Sequence, residues 1–341
     1  MKSRRNDSTK WPRHLPLLGG LALALLQWPT HSARAAEDTP HPATAAKMLQ
    51  GVHRIVFLGD SITQAGDYVV DCECWLLAHG FKVEILNLGL ASETVSDLTA
   101  KENEWHLKTF GFGRPFLSQR LDRALAVSKP DLLFACYGMN DGGSLPTNAA
   151  GTRRFGRAIT KLRKAAIKAG AKRVVICTPP VFDDLGDAQQ KFHDENLTRY
   201  TQWLLSKRGK GWDVVDIHTP MRRELDERKA KDPNFKFAGD GVHPGREGHW
   251  FIAREILAQF FGANPEGATS AADFFPAHGT EIRKLVRQRM EVLFNAWMTQ
   301  IPHRRPEVPG GPGAAPGPSI TEADEKAAAL GNQIQLEMTP Q

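Results

Sequence analysis

The sequence predicts a three-layer α/β protein built on a five-stranded parallel sheet. Short β-rich apolar runs recur at 53–58, 83–88, 131–137, 173–178 and 212–217. Segments with apolar residues at helical spacing lie between them, as in Phe155, Ile159, Leu162 and Ala166. Strands that alternate with helices form crossover units, and crossover units build a parallel sheet covered on both faces.

Taken in order, the helices are expected near 67–79, 93–109, 149–169, 187–207 and 246–261, with one more isolated helical stretch at about 280–298. A Pro/Gly-rich run follows through Pro318, and its composition suits a linker or surface strap rather than a core. The charged stretch near 321–336 has the composition of a helix without a strong apolar stripe. The domain plan is therefore an N-terminal segment 1–35, a catalytic domain 48–262, a helical extension 263–305, and a linker and tail 306–341.

The N-terminal segment has its own logic. Lys2, Arg4, Arg5, Lys10 and Arg13 precede an apolar run at 15–28, and Ala33-Arg34-Ala35 follows it. That is the layout of a secretory signal peptide with an Ala-x-Ala cleavage site. The apolar run, about 14 residues broken by Pro16, is short of the roughly 20 needed to span a bilayer, so a membrane anchor is the weaker reading. Residues 1–35 hold six basic residues against one acid, which is +5 of the formal +6. The remaining chain is close to neutral despite an overall pI of 9.1, and a nucleic-acid partner finds no support in its composition.

Four cysteines, Cys72, Cys74, Cys136 and Cys177, could oxidise in an exported protein. Cys136 and Cys177 lie in apolar strand candidates, and Cys72 and Cys74 are too close to bridge each other, so all four read as structural thiols. Without paired histidines nearby they also make a poor zinc site.

In an open α/β sheet the reactive groups gather beyond the carboxyl ends of the strands. Ser61 follows the first strand, Gly89 the second and Asn140 the third, while a polar loop with Asp240 and His243 precedes the last helix of the sheet domain. Acyl transfer needs a nucleophile, a base, a group that orients the base, and donors for the developing oxyanion. Ser61 fits the first role, His243 the second and Asp240 the third. The amides of Ser61 and Gly89 with the side chain of Asn140 fit the fourth. No metal or organic cofactor is required by that chemistry.

Four blocks, Gly59-Asp60-Ser61-Ile62-Thr63, Asn87-Leu88-Gly89, Gly138-Met139-Asn140-Asp141 and Asp240-Gly241-Val242-His243-Pro244, resemble the signature of the SGNH hydrolases, the GDSL esterases and lipases. The resemblance covers roughly residues 52–261 and implies a flavodoxin-like fold. It also implies a Ser61–His243–Asp240 triad, oxyanion donors at Ser61, Gly89 and Asn140, and a supporting rather than reactive Asp60. Where family members often carry a small Ser-Gly pair after the second block, this chain has Ala91-Ser92. The Gly-x-Ser-x-Gly elbow of the larger α/β-hydrolase group is absent around Ser61.

Other readings compete. Ser61 could merely cap a helix and Asn140 a turn. His53, His79, His193 and His249 lack a partnered constellation and read as packing or surface residues. His303, Arg304 and Arg305 could clamp an anion but are more simply a solvated turn, and Trp75, Trp105 and Trp250 read as core. The function expected is exported hydrolysis of an ester, removing short acyl groups such as acetyl from small acylated molecules or polysaccharide. Lipolysis of longer chains, or a non-catalytic carbohydrate-binding module, are the alternatives.

Overall fold

Five apolar segments form strands β1 (Arg54–Gly59), β2 (Glu84–Asn87), β3 (Leu132–Cys136), β4 (Arg173–Cys177) and β5 (Asp213–Val215). They pair in the order β2-β1-β3-β4-β5, and every pair is parallel, as the sequence predicts. Gly59 stands opposite Cys136 and Cys136 opposite Cys177, so β1, β3 and β4 end flush at one edge. The chain leaves β1 toward β2 on one side and returns to β3 on the other, which makes the end of β1 the topological switch point. The computed structural model describes residues 41–183, 191–265 and 267–339, and the expected signal peptide lies outside them.

The helices are α1 (His41–Met48), α2 (Ser61–Ala65), α3 (Asp67–Ala78), α4 (Ala100–Phe110), α5 (Leu121–Ser128), α6 (Met139–Gly142), α7 (Ala149–Lys168), α8 (Lys191–Leu205), α9 (His218–Lys231), α10 (Arg246–Phe261), α11 (Gly279–Thr299) and α12 (Ile320–Met338). Right-handed crossovers place α3 on one face of the sheet and α7 and α8 on the other. The α7 stripe anticipated from spacing is the buried one: Phe155, Ile159, Leu162 and Ala166 are all inaccessible, and Asn148 caps the helix through the amides of Ala150 and Gly151. Phe57 stacks on Phe134 at 4.9 Å and Phe134 meets Phe260 edge-on at 5.2 Å, tying β1, β3 and α10 into one core.

The expected helix at 93–109 begins seven residues later, at Ala100. Thr99 and Glu102 form a capping box that sets its start, while Glu93 is drawn inward by a buried arginine. Helix α9 escaped the sequence reading because only His218, Met221 and Leu225 of its residues are buried, too sparse a stripe to show a period.

Beyond Phe261 the chain continues to pack. Arg283 of α11 bonds Asp71 at 2.7 Å and Asp67 at 2.9 Å, and Arg289 bonds Glu73 at 2.5 Å, clamping α11 to α3. Burial lifts the Asp71 carboxyl to about 6 despite the pull of Arg283. Within 306–341 the strap is held by the bond from the His303 amide to the Gly310 carbonyl, and α12 buries Ala323 and Ile334. All four cysteines are free thiols in the interior.

Candidate functional site

Two glycines create the floor of the site. A side chain at Gly59 would sit 1.9 Å from Thr63 Oγ1 and 2.8 Å from the Cys136 carbonyl, and one at Gly89 would lie 2.3 Å from the Gln64 amide. Only hydrogen fits at either place, so the first turn of α2 drops directly onto the ends of β1 and β2. Asp60 caps that turn by accepting the Ile62 N–H at 3.0 Å. Because the cap is Asp60, the Ser61 hydroxyl is left for another partner.

That partner is His243. Ser61 Oγ lies 2.8 Å from His243 Nε2, 182 residues apart in sequence, and His243 Nδ1 lies 2.7 Å from Asp240 Oδ2. Asp240 Oδ1 accepts the backbone N–H groups of Val242 at 2.9 Å and His243 at 2.8 Å. Partial burial works against its charge, but these three donors outweigh it and hold the carboxyl below the usual range. An ionised Asp240 fixes the tautomer in which His243 Nδ1 carries a hydrogen and Nε2 is free to accept from Ser61.

The structure also brings Asn140 and Gly89 to this edge. Asn140 Oδ1 accepts from Arg114 Nη1 at 2.7 Å, and Asn140 Nδ2 donates to the Glu93 carbonyl at 2.9 Å. A guanidinium only donates and a carbonyl only accepts, so the amide has one orientation, and its second N–H remains available. The Gly89 amide is engaged with Asn87 Oδ1 at 2.9 Å, and Asn87 in turn donates to the Thr63 carbonyl at 2.6 Å. Met290 of α11 lies 3.6 Å from Asn87 Nδ2, so the C-terminal region supports the floor of the site. The Ser61 amide heads α2, where a helix supplies no partner of its own.

Sequence reasoning missed the residues behind Asn140. Glu93 holds Arg120 through both carboxylate oxygens at 2.7 Å, with both side chains fully buried, and Tyr137 donates to Glu93 Oε2 at 2.7 Å. Arg114 has no carboxylate paired with it among the described residues, and burial lowers its pKa to about 10. Its local sequence, Phe112-Gly113-Arg114-Pro115, was the available signal, an arginine fixed between two conformationally special residues. Ser92 adopts φ 66°, the left-handed region, at the position where the family often has glycine. Asp141, beside Asn140, accepts the amides of Val95 and Ser96 at 3.1 and 3.0 Å and is pushed up to about 6 by burial.

The remaining candidates divide. His193 bonds the Met139 carbonyl at 2.6 Å beneath the site, and His249 is buried on α10 beside Tyr68. His303 is buried on the Pro309 carbonyl, and Arg305 lies 4.5 Å over the Phe112 ring. Trp75 and Trp250 are core, but Trp105 is not: it is 64% exposed and meets Phe110 edge-on at 5.8 Å on the outer face of α4.

A doubly wound sheet whose carboxyl edge joins a serine, a histidine and a carboxylate has the make-up of a hydrolase. The chain belongs to the GDSL-like Lipase/Acylhydrolase family, whose model matches residues 57–251. Similar solved structures include a gut microbial diltiazem-metabolizing enzyme (21% identity, TM-score 0.44, 61% of this chain and 46% of that one). Another is an acetylxylan esterase from Geobacillus stearothermophilus (18%, 0.44, 62% and 95%). A third is a lipolytic G-D-S-L family protein from Veillonella parvula (19%, 0.39, 61% and 98%). The chain thus spans less than half of the first of these. No curated protein matches. Among the described residues no helix is long and apolar enough to cross a membrane.

Proposed function

We propose that this chain is an exported serine ester hydrolase that removes short acyl groups, acetyl above all, from carbohydrate. The observation that carries the reading is the unbroken hydrogen-bond line from Ser61 Oγ through His243 to Asp240, at 2.8 and 2.7 Å. In this reading His243 Nε2 takes the Ser61 proton as Oγ attacks the ester carbonyl. The tetrahedral oxyanion meets the Ser61 amide and the free N–H of Asn140, with the Gly89 amide able to join by sharing its hydrogen with Asn87. His243 then returns the proton to the departing alcohol, leaving an acyl-Ser61 that water hydrolyses by the same route reversed.

One feature supports a small acyl group on a large alcohol. The side chains of His243 and Asp240 are 52% and 57% exposed, which admits a polymer. A long acyl chain instead needs apolar cover, each buried methylene contributing about 0.8 kcal/mol. Export is supported by the basic, apolar and Ala-Arg-Ala order of the first 35 residues. One observation favours the lipolytic alternative: Trp105, Leu107 and Phe110 expose an apolar cluster at 64%, 52% and 55%. A series of p-nitrophenyl esters from acetyl to palmitoyl decides between them, with Ser61→Ala as control. Falling kcat/KM beyond butyryl is expected, whereas a maximum at long chains would establish a lipase. Unchanged hydrolysis by Ser61→Ala would remove the serine mechanism altogether.

A further inference from the structure

Helix α7 carries seven basic residues and no acid in its 20 positions. Arg154 pairs with Glu102, and Arg163 lies 4.9 Å over the Trp212 ring. The other five, Arg153, Arg157, Lys161, Lys164 and Lys168, are exposed and have no ion pair among the described residues. They span 16 residues, about 22 Å at 1.5 Å per residue step, and recur at spacings of three, four and seven that keep them on one side of the helix. Such segregation is unexpected in a chain whose net charge beyond residue 35 is only +1, the difference between +6 and +5.

The row borders grooves rather than a flat surface. One groove, lined by Arg153, Arg157, Lys161, Lys164, Lys168 and the indole of Trp203, lies between α7 and α8, with the side chain of Asp122 as its single acid. Gly156 shapes it, since a side chain there would stand 2.6 Å from Trp203. Trp203 is half-buried and holds Lys207 4.2 Å from its ring. A second groove shares Arg157 and Lys161 and reaches Val95, Ser96 and Asp97. Val95 and Ser96 in its wall are the residues whose amides bond Asp141, next to Asn140. Arg154 ties this region to α4, where the exposed Trp105–Phe110 pair lies.

We propose that the α7 grooves bind an acidic polysaccharide, a uronate-bearing chain whose carboxylates lie along the five free cations and whose sugar faces meet the indole. This rests on the ester-hydrolase reading and narrows its substrate class to an acylated polyuronate. Closely spaced like charges raise the local potential and attract a polyanion in a manner screened by salt. A polymer with one carboxylate per sugar and acyl groups on its hydroxyls joins the charged row to the chemistry of Ser61.

The test is affinity electrophoresis of the full chain and of R157Q/K161Q/K164Q through gels containing polygalacturonate, neutral xylan or duplex DNA, alongside turnover of p-nitrophenyl acetate and of acetylated polygalacturonate. Expected are retardation of the parent chain by polygalacturonate at low salt, its loss at high salt, and its loss in the triple variant. Turnover of acetylated polygalacturonate should fall about tenfold in the variant, with p-nitrophenyl acetate turnover unchanged. No retardation of the parent, equal retardation of the variant, or stronger retardation by DNA would each overturn the proposal. Absence of Ser61-dependent hydrolysis in the parent would sink the esterase reading while the gel still judges the groove.

Discussion

Asp240 and His243 sit three residues apart on one solvent-exposed turn and satisfy each other with local bonds. Asn140, by contrast, is held by Glu93 from 47 residues away and by Arg114 from 26, and behind Glu93 stands an Arg120 that no water reaches. The histidine arm of the candidate site is short-range and wet; the proposed oxyanion arm is long-range and dry. Damage to the first should therefore cost chemistry without stability, and damage to the second should cost both.

The sharpest break is His243→Ala, which should lower kcat on p-nitrophenyl acetate by about 10⁴-fold or more while the melting temperature stays near that of the parent, because triad members act as a unit. Retention of activity would dissolve the histidine arm as a functional group. Glu93→Ala leaves Arg120 buried and unpaired, so urea unfolding should report a loss of about 3–5 kcal/mol. Asp240→Ala should cost no more than about 1 kcal/mol by the same measurement, as expected of exposed local bonds. Equal losses in the two variants would erase the contrast.

Smaller effects refine the oxyanion arm. Asn140→Ala should reduce kcat about 10²-fold. Arg114→Met should reduce it about tenfold in the parent and not at all in an Asn140→Ala background, because a guanidinium that acts through the Asn140 amide has nothing to act on once that amide is gone. Additive losses would show that Arg114 works elsewhere.

The least effect concerns Asp60, whose carboxyl burial raises to about 7 from an ordinary 3.8. Between those values the folded chain keeps a proton that the unfolded chain has released, so this residue's contribution to stability declines as pH rises from 4 to 7. Asp60→Asn keeps the cap acceptor and removes the charge, and it should flatten the fall of melting temperature across that window. An unaltered slope would place the pH dependence on Asp71 and Asp141, which burial also raises.

The histidine arm was legible because its partners are neighbours in the chain and its chemistry names its residues. The strands were legible for a similar reason: a buried parallel strand is a short apolar run wherever it occurs. Glu93 was read into a helix that starts only at Ala100, because periodicity registers residue type and not the pull of Arg120. Trp105 was read as core for the same reason, since a large aromatic is buried on average and only the direction of α4 exposes this one.

By itself the sequence determined the parallel sheet, the placing of Ser61, Gly89 and Asn140 after their strands and of Asp240 and His243 in the loop before α10, and membership of an acylhydrolase family. These rest on local patterns and on the rule that strand ends share one edge. Tertiary structure alone decided that Arg114 and Glu93 orient Asn140, that Asn87 engages the Gly89 amide, and that α11 props Asn87 from behind. All but the Asn87–Gly89 bond join residues far apart in the chain, and the energy of each depends on burial and hydrogen-bond direction, neither of which exists until the chain has folded.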